Sequence, residues 1–173
     1  MKLVFREATT KDVPALLKLA QELMIHNRTL NKTDKTRYKL LKLVPNIKKL
    51  WAKWATKQIK SPNGCIIVAE IRNKFKTKPE SKNEIVGYTL IYIQDNVKVY
   101  VVRKTGHISD LYIKSGYRNK RIATKFKKLA FRWFKKNKMK YVSIAVHSKN
   151  IKAHSIYKKW GFFDYHTELR KKL

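Results

Sequence analysis

The sequence predicts an α/β (α+β) fold, with one domain over residues 1–173 built on a mixed β-sheet flanked by helices. Three observations predict it. Short apolar runs alternate with segments of helical period along the whole chain. Strand-like runs follow one another directly between 84 and 113, where hairpins make the sheet mixed rather than fully parallel. The chain is 43% apolar and 12% aromatic over 173 residues, enough for one sizeable core despite its charge.

A first strand is expected at LVFREA (3–8). A helix follows over 9–25, with Thr10 as N-cap and Pro14 in the first turn, where a missing N–H costs little. Val13, Leu16, Leu17, Ala20 and Met24 give it one apolar face. Residues 26–35 read as a loop, with His26 near a substrate mouth. A second helical region starts near 36 and is interrupted by Pro45. Beyond it Ile47, Leu50, Trp51, Trp54 and Gln58 share one side. Core packing is the default for the two tryptophans; a substrate wall and a dimer contact are the alternatives. SPNG (61–64) is a turn, CIIVAEI (65–71) a strand and 72–83 a polar connection. EIVGYTLIYIQ (84–94) and VYVVR (99–103) form a hairpin turned at Asp95-Asn96, and GHISDLYI (106–113) is a further strand. From Asn119 to about Lys136 the period is helical, with Ile122, Phe126, Leu129 and Trp133 on one stripe. YVSIAV (141–146) is a strand and NIKAHSIYKKW (150–160) a helix stopped by Gly161. FFDYHTEL (162–169) is a last strand.

The balance of 42 Lys+Arg against 11 Asp+Glu gives +31. Such a surface attracts polyanions, whether nucleic acid, an RNA-rich assembly or an acidic membrane surface. A compositional preference for lysine accounts for it equally well, because the lysines are spread along the chain. One segment stands apart: no acidic residue lies between Asp110 and Asp164. The single cysteine, Cys65, excludes an internal disulfide framework and reads as a buried structural thiol. The N-terminus has no long apolar stretch and no segment reaches the ~20 apolar residues of a membrane span, so a soluble, cytoplasmic protein is expected. His147, His154 and His166 have no metal-ligand spacing with one another or with Cys65, and no metal is expected.

GYRNKRIATKF (116–126) joins a strand to a helix and carries Arg118, Lys120, Arg121 and Lys125. Free backbone N–H groups and the positive end of the helix dipole make such a turn a pyrophosphate site; taken alone, it reads more readily as solvated basic surface. Downstream, NIKAHSIYKKWGF (150–162) sets Asn150, Ala153, Tyr157, Gly161 and Phe162 in a fixed spacing after a strand. Helix caps and a core tyrosine explain each of these singly.

Together the two segments resemble the GNAT family of N-acetyltransferases. Arg118, Arg121 and Ala123 fall on its loop pattern [Q/R]-x-x-G-x-[G/A]. The later segment matches N-x-x-A-x-x-x-Y-x-x-x-G-F, and DLYI (110–113) resembles the strand before the loop. The resemblance implies the acyl-CoA N-acyltransferase fold, with acetyl-CoA as co-substrate lying where strands 106–113 and 141–146 splay apart. It implies that Leu111, Tyr112 and Ile113 line the pantetheine arm. Amides of Arg118, Asn119, Lys120, Arg121, Ile122, Ala123 and Thr124 would hold the pyrophosphate. Asn150 would contact the pantetheine and Tyr157 would protonate the departing thiolate. Direct attack of an amine needs no covalent enzyme intermediate, which leaves Cys65 without a role.

Many members have glutamate where Ser109 stands, and serine cannot act as a base unaided. Strand alternation puts residues 107, 109, 111 and 113 on one side and Asp110 on the other. His107 is therefore the expected base, directly or through a water held by Ser109, and Asp110 a structural carboxylate near the basic helix. Arg121 stands where the family has glycine; it is expected inside the first helical turn, with ordinary backbone angles and its cation near a phosphate. The reading is an acetyl-CoA-dependent N-acetyltransferase acting on an amine: a protein N-terminus, a lysine or a small amine, free or on an RNA-rich assembly. The alternative is a basic nucleic-acid- or ribosome-binding module that keeps the fold without catalysis. A homodimer is compatible with the resemblance.

Overall fold

The computed structural model describes residues 2–72 and 83–171. The polar connection expected at 72–83 lies outside them, apart from its two end residues. Strand β1 (Lys2–Glu7) leads through a 3-10 turn (Thr10–Asp12) to α1 (Val13–Thr29). Then come α2 (Lys35–Leu40), α3 (Ile47–Lys60), β2 (Gly64–Arg72), β3 (Glu84–Asp95) and β4 (Lys104–Ile113). A second 3-10 turn (Ser115–Tyr117) precedes α4 (Ile122–Lys136), β5 (Val142–Ile144) and α5 (Ile151–Lys159).

The five strands lie in the order β1-β2-β3-β4-β5. The first three pairings are antiparallel and β4–β5 is parallel, so the sheet is mixed as expected. Helices cover both faces, which is why β2 and β3 read as continuous apolar runs rather than alternating ones. On one face Leu16, Leu19 and Ala20 of α1, with Trp51 and Ala55 of α3, pack on Ile66, Val68, Tyr88, Leu90 and Tyr112. On the other, Ile122, Phe126, Ala130 and Phe134 of α4 pack on Ile67, Val86, Ile91, Ile108 and Ile113. The stripe of α4 is thus turned from the expected one: Ala130 and Phe134 form its deep edge, while Leu129 and Trp133 are only partly buried. Gly106 permits the close contact of α4 with β4, since a Cβ there would lie 2.4 Å from Phe134 Cδ1.

Several element expectations differ, including the N-cap of α1, which is Asp12 rather than Thr10. α1 continues through 26–29, so His26 stands in its last turn. Residues 99–103 are not a strand: they belong to the β3–β4 connection, closed by Asn96 N–H to the Arg103 carbonyl at 2.8 Å and by Asn96 Nδ2 to the Val102 carbonyl at 2.9 Å. α4 begins at Ile122 rather than Asn119. Residues 162–169 form no strand, because nothing pairs with them among the described residues. Among those residues no helix is long and apolar enough to cross a membrane.

Candidate active site

The parallel pairing of β4 with β5 is short. It joins Gly106 to Val142, His107 to Ser143 and Ile108 to Ile144, and then stops. β4 continues to Ile113 beside β3 alone, leaving the β5 side of its second half without a strand partner among the described residues. The pairing thus ends in the stretch where a splay is expected, and β5 is shorter than the expected 141–146. Leu111, Tyr112 and Ile113 lie along that half of β4, and the Ile113 carbonyl already accepts from Arg118 Nε at 3.0 Å.

The alternation expected along β4 is broken. Leu90 pairs with Asp110 and Ile91 with Ile108, so Ser109 is an extra, unopposed residue. Such a bulge restarts the period. Ile108, Leu111 and Ile113 face α4, while Asp110 meets Tyr88 and Tyr112 packs on the α1–α3 side. His107 stands against Tyr92, 5.1 Å between ring centroids, also on the α1–α3 side. The expectation that Asp110 points away from His107, and that Leu111 and Ile113 share its face, is therefore corrected. Asp110 is held by Tyr88 Oη at 2.9 Å rather than by the basic helix. Burial pushes its carboxyl above the ordinary range. Ser109 Oγ comes within 3.5 Å of Asp110 Oδ1, and among the described residues it makes no hydrogen bond to His107.

His107 Nδ1 lies 2.9 Å from Ser143 Oγ, and that hydroxyl lies 3.4 Å from the Gly106 carbonyl. A carbonyl only accepts, so where the Ser143 hydroxyl donates to it that hydroxyl accepts from His107 Nδ1–H. This leaves the lone pair on Nε2. Burial holds the imidazole below its ordinary 6.5, so the ring is neutral at pH 7. Ser143 was absent from the sequence reading; its pairing with His107 across a parallel ladder has no signal in the sequence.

Beyond Ile113 the chain makes the 3-10 turn and enters α4. The Arg118 amide donates to the Ser115 carbonyl at 3.2 Å and so is not free. From Asn119 to Thr124 no amide finds a backbone acceptor among the described residues; the first bond of the helix is Lys125 N–H to the Arg121 carbonyl at 3.1 Å. Asn119 and Arg121 are left-handed, with φ 63° and 58°. The expectation that Arg121 sits in an ordinary helical turn is thus overturned: it is the N-cap of α4 and takes the angle that glycine takes at no cost. Its amide is nevertheless one of six consecutive free donors at the start of a 15-residue helix, a concavity of the kind that binds anions.

Asn150 caps α5, its Oδ1 accepting from Ala153 N–H at 3.2 Å. Gly161 (φ 91°) ends α5. Phe162 N–H donates to the Tyr157 carbonyl at 3.1 Å, and Gly161 N–H to the Lys158 carbonyl at 2.9 Å. The Tyr-x-x-x-Gly-Phe spacing is therefore a helix stop that bonds to the tyrosine itself. Tyr157 packs on Trp160 and Phe162, 5.6 and 6.3 Å between centroids, and burial raises its phenol. Among the described residues its hydroxyl has no hydrogen-bond partner. The site thus comprises free amides beyond the Ile113 end of the unpaired β4 edge, an imidazole at its other end and a phenol on the helix beyond β5.

The profile of the acetyltransferase (GNAT) family matches residues 33–162. No curated protein sequence matches the chain. Among solved structures, a predicted acetyltransferase with acetyl-CoA from Clostridium acetobutylicum superposes with a TM-score of 0.73 at 18% identity, over 99% of this chain and 96% of that one. An aminoglycoside N-acetyltransferase in complex with CoA gives 0.71 at 9% identity, over 99% and 95%. Glucosamine-6-phosphate N-acetyltransferase from Arabidopsis thaliana gives 0.66 at 15%, over 99% of each chain.

Proposed function

The chain belongs to the GNAT acetyltransferase family, and on that premise we propose that it transfers the acetyl group of acetyl-CoA to a primary amine. The observation that carries the proposal is the row of free amides from Asn119 to Thr124 beyond the Ile113 end of the unpaired β4 edge. Six unpaired donors at a helix start, among cations, suit a pyrophosphate. A slot bordered by unpaired strand edge suits an extended arm that hydrogen-bonds to main chain.

In this reading the amine nitrogen attacks the thioester carbonyl carbon and the C–S bond breaks. His107 Nε2 takes the proton that the amine loses, and the Tyr157 hydroxyl gives its proton to the departing sulfur. Ser143 holds the imidazole in the tautomer that keeps Nε2 free. Both titrating groups start in the required state at pH 7, the imidazole neutral and the phenol protonated. The acceptor side of β4 carries Asp110, which has no cationic partner among the described residues in a chain with 42 Lys+Arg.

The test is CoA release from acetyl-CoA across a panel of amines that includes peptide N-termini, lysine peptides and small amines. Tyr157→Phe should lower kcat by about 100-fold or more while leaving acetyl-CoA affinity in place. Full activity in that variant would remove Tyr157 from the mechanism. No release with any amine, together with no thermal stabilisation by acetyl-CoA, would sink the proposal.

A further inference from the structure

A second candidate site lies at the other end of the same two strands. The slot opens beyond Ile108 and Ile144, toward the C-terminal ends of β4 and β5. Just before their N-terminal ends, residues 101–104 and 138–140 enclose a shallow pocket of about 310 Å³. Half-buried Val102 and Met139 supply its apolar floor beside the exposed Val101, and the exposed Arg103, Lys104, Lys138 and Lys140 supply its cationic rim. Two exposed tyrosines adjoin these segments, Tyr100 (61% exposed) and Tyr141 (54%).

The arrangement adds an apolar lining and two neighbouring exposed tyrosines to the general basicity of the chain. Among the described residues a few cations meet carboxylates, such as Arg6 with Asp12 and Glu70, Arg37 with Asp34 and Lys114 with Glu84. Among the described residues none of the four rim cations does, although Asp95 stands opposite Lys104 in the β3–β4 register. The negative end of the α4 dipole accounts for lysines at 135, 136 and 138. It does not account for Arg103, which lies in the β3–β4 connection and donates to the Lys98 carbonyl, or for Lys104, the first residue of β4. That connection also exposes Val97, Val99 and Val101, the last at 96%. A contiguous exposed apolar group beside cations suits an interaction surface.

We infer that this pocket binds single-stranded RNA, separately from acetyl transfer. Phosphates meet the rim cations, one unstacked base enters the apolar floor, and Tyr100 and Tyr141 offer faces for its neighbours. Single-strand binders combine these three elements. A duplex keeps its bases stacked inside and has no use for an apolar floor. The site would hold the enzyme on an RNA-rich assembly while the slot at the far end of β4 and β5 works on an amine.

The probe is a mixed-sequence single-stranded RNA of about 12 nucleotides, its binding followed by anisotropy over a salt series. Four neutralised phosphates predict a log–log slope near −3 and about a 50-fold loss of affinity between about 50 and 200 mM salt. Lys138→Gln/Lys140→Gln should reduce the slope to about −1.5 and that loss to about 7-fold. Tyr100→Ala or Tyr141→Ala should weaken binding at least about 5-fold at the higher salt, where stacking dominates. Acetyl-CoA stabilisation, measured alongside, should be unchanged in all three and confirms that they fold. Three results would overturn the inference. One is equal weakening by Lys49→Gln/Lys53→Gln on α3, which would mean dispersed charge. Another is tighter binding of the matching duplex or of phosphatidylserine vesicles than of the single strand. The third is indifference to the tyrosine changes.

Discussion

Arg121 separates what a motif conveys from what it conceals. Its position in the loop pattern is plain in the sequence, and so is the departure from glycine. Its backbone state is not, because the helical period begins at Ile122 and is silent about the residue before it. Arginine has no local preference for φ 58°, so the turn imposes the angle at a cost of about 1–2 kcal/mol. Arg121→Gly should therefore raise stability by about 1 kcal/mol in urea unfolding. It should also weaken acetyl-CoA about 2- to 5-fold by removing one exposed cation from the anion site; tighter binding would show that the side chain is only tolerated. Ser143 was illegible for another reason: its role exists only across the parallel ladder. Because burial lowers the His107 imidazole, the acid limb of kcat/KM should fall at a pH below 6.5. Ser143→Ala should reduce kcat about 10-fold by freeing the other tautomer, and Ser143→Thr should restore it. A Ser143→Ala profile identical to the parent's would deny Ser143 a positioning role.

At the scale of elements, periodicity located every helix and five of the strands. It failed where an element depends on a partner. The run at 162–169 has strand composition, but a strand needs an edge to pair with, and no sequence pattern records whether that edge is occupied. Residues 99–103 failed likewise: apolar β-branched composition placed a strand where the chain makes a connection. In β4 the composition was right and the facing wrong, since one extra residue at Ser109 moves everything after it to the opposite side. The end of α5 was the most legible local feature, and its physics explains the motif. Gly161 at φ 91° lets Phe162 bond back to Tyr157 and pack against it. Gly161→Ala should cost about 1 kcal/mol. It should lower kcat more than acetyl-CoA affinity, because the cap holds the phenol; unaltered kcat would separate the cap from the chemistry.

For the whole molecule, charge decides how stability responds to acid. Arg6 ties β1 to the first 3-10 turn and to β2, reaching Asp12 with two bonds of 2.8 Å and Glu70 at 3.0 Å. The guanidinium holds the Asp12 carboxyl down to about 2 from 3.8 and lowers Glu70 as well. A depressed carboxylate stabilises the fold above its unfolded value and loses that contribution as pH falls through its folded value. Thermal stability should thus be level from pH 7 to 5 and fall between about pH 4 and 2. Protonating the carboxylates also leaves 42 cations unopposed, which steepens the fall. Asp12→Asn should lower the neutral-pH Tm and flatten its acid dependence; an unchanged profile would place the acid-sensitive contact elsewhere.

Cys65 lies in β2, 6% exposed among the side chains that α4 covers, with its thiol pushed up to about 12 by burial. A maleimide or disulfide reagent at neutral pH therefore meets almost no thiolate while the sheet is closed. The chain carries its own single-site chronometer: the rate at which it takes up one label reports how often α4 lifts from the sheet, without any engineered probe.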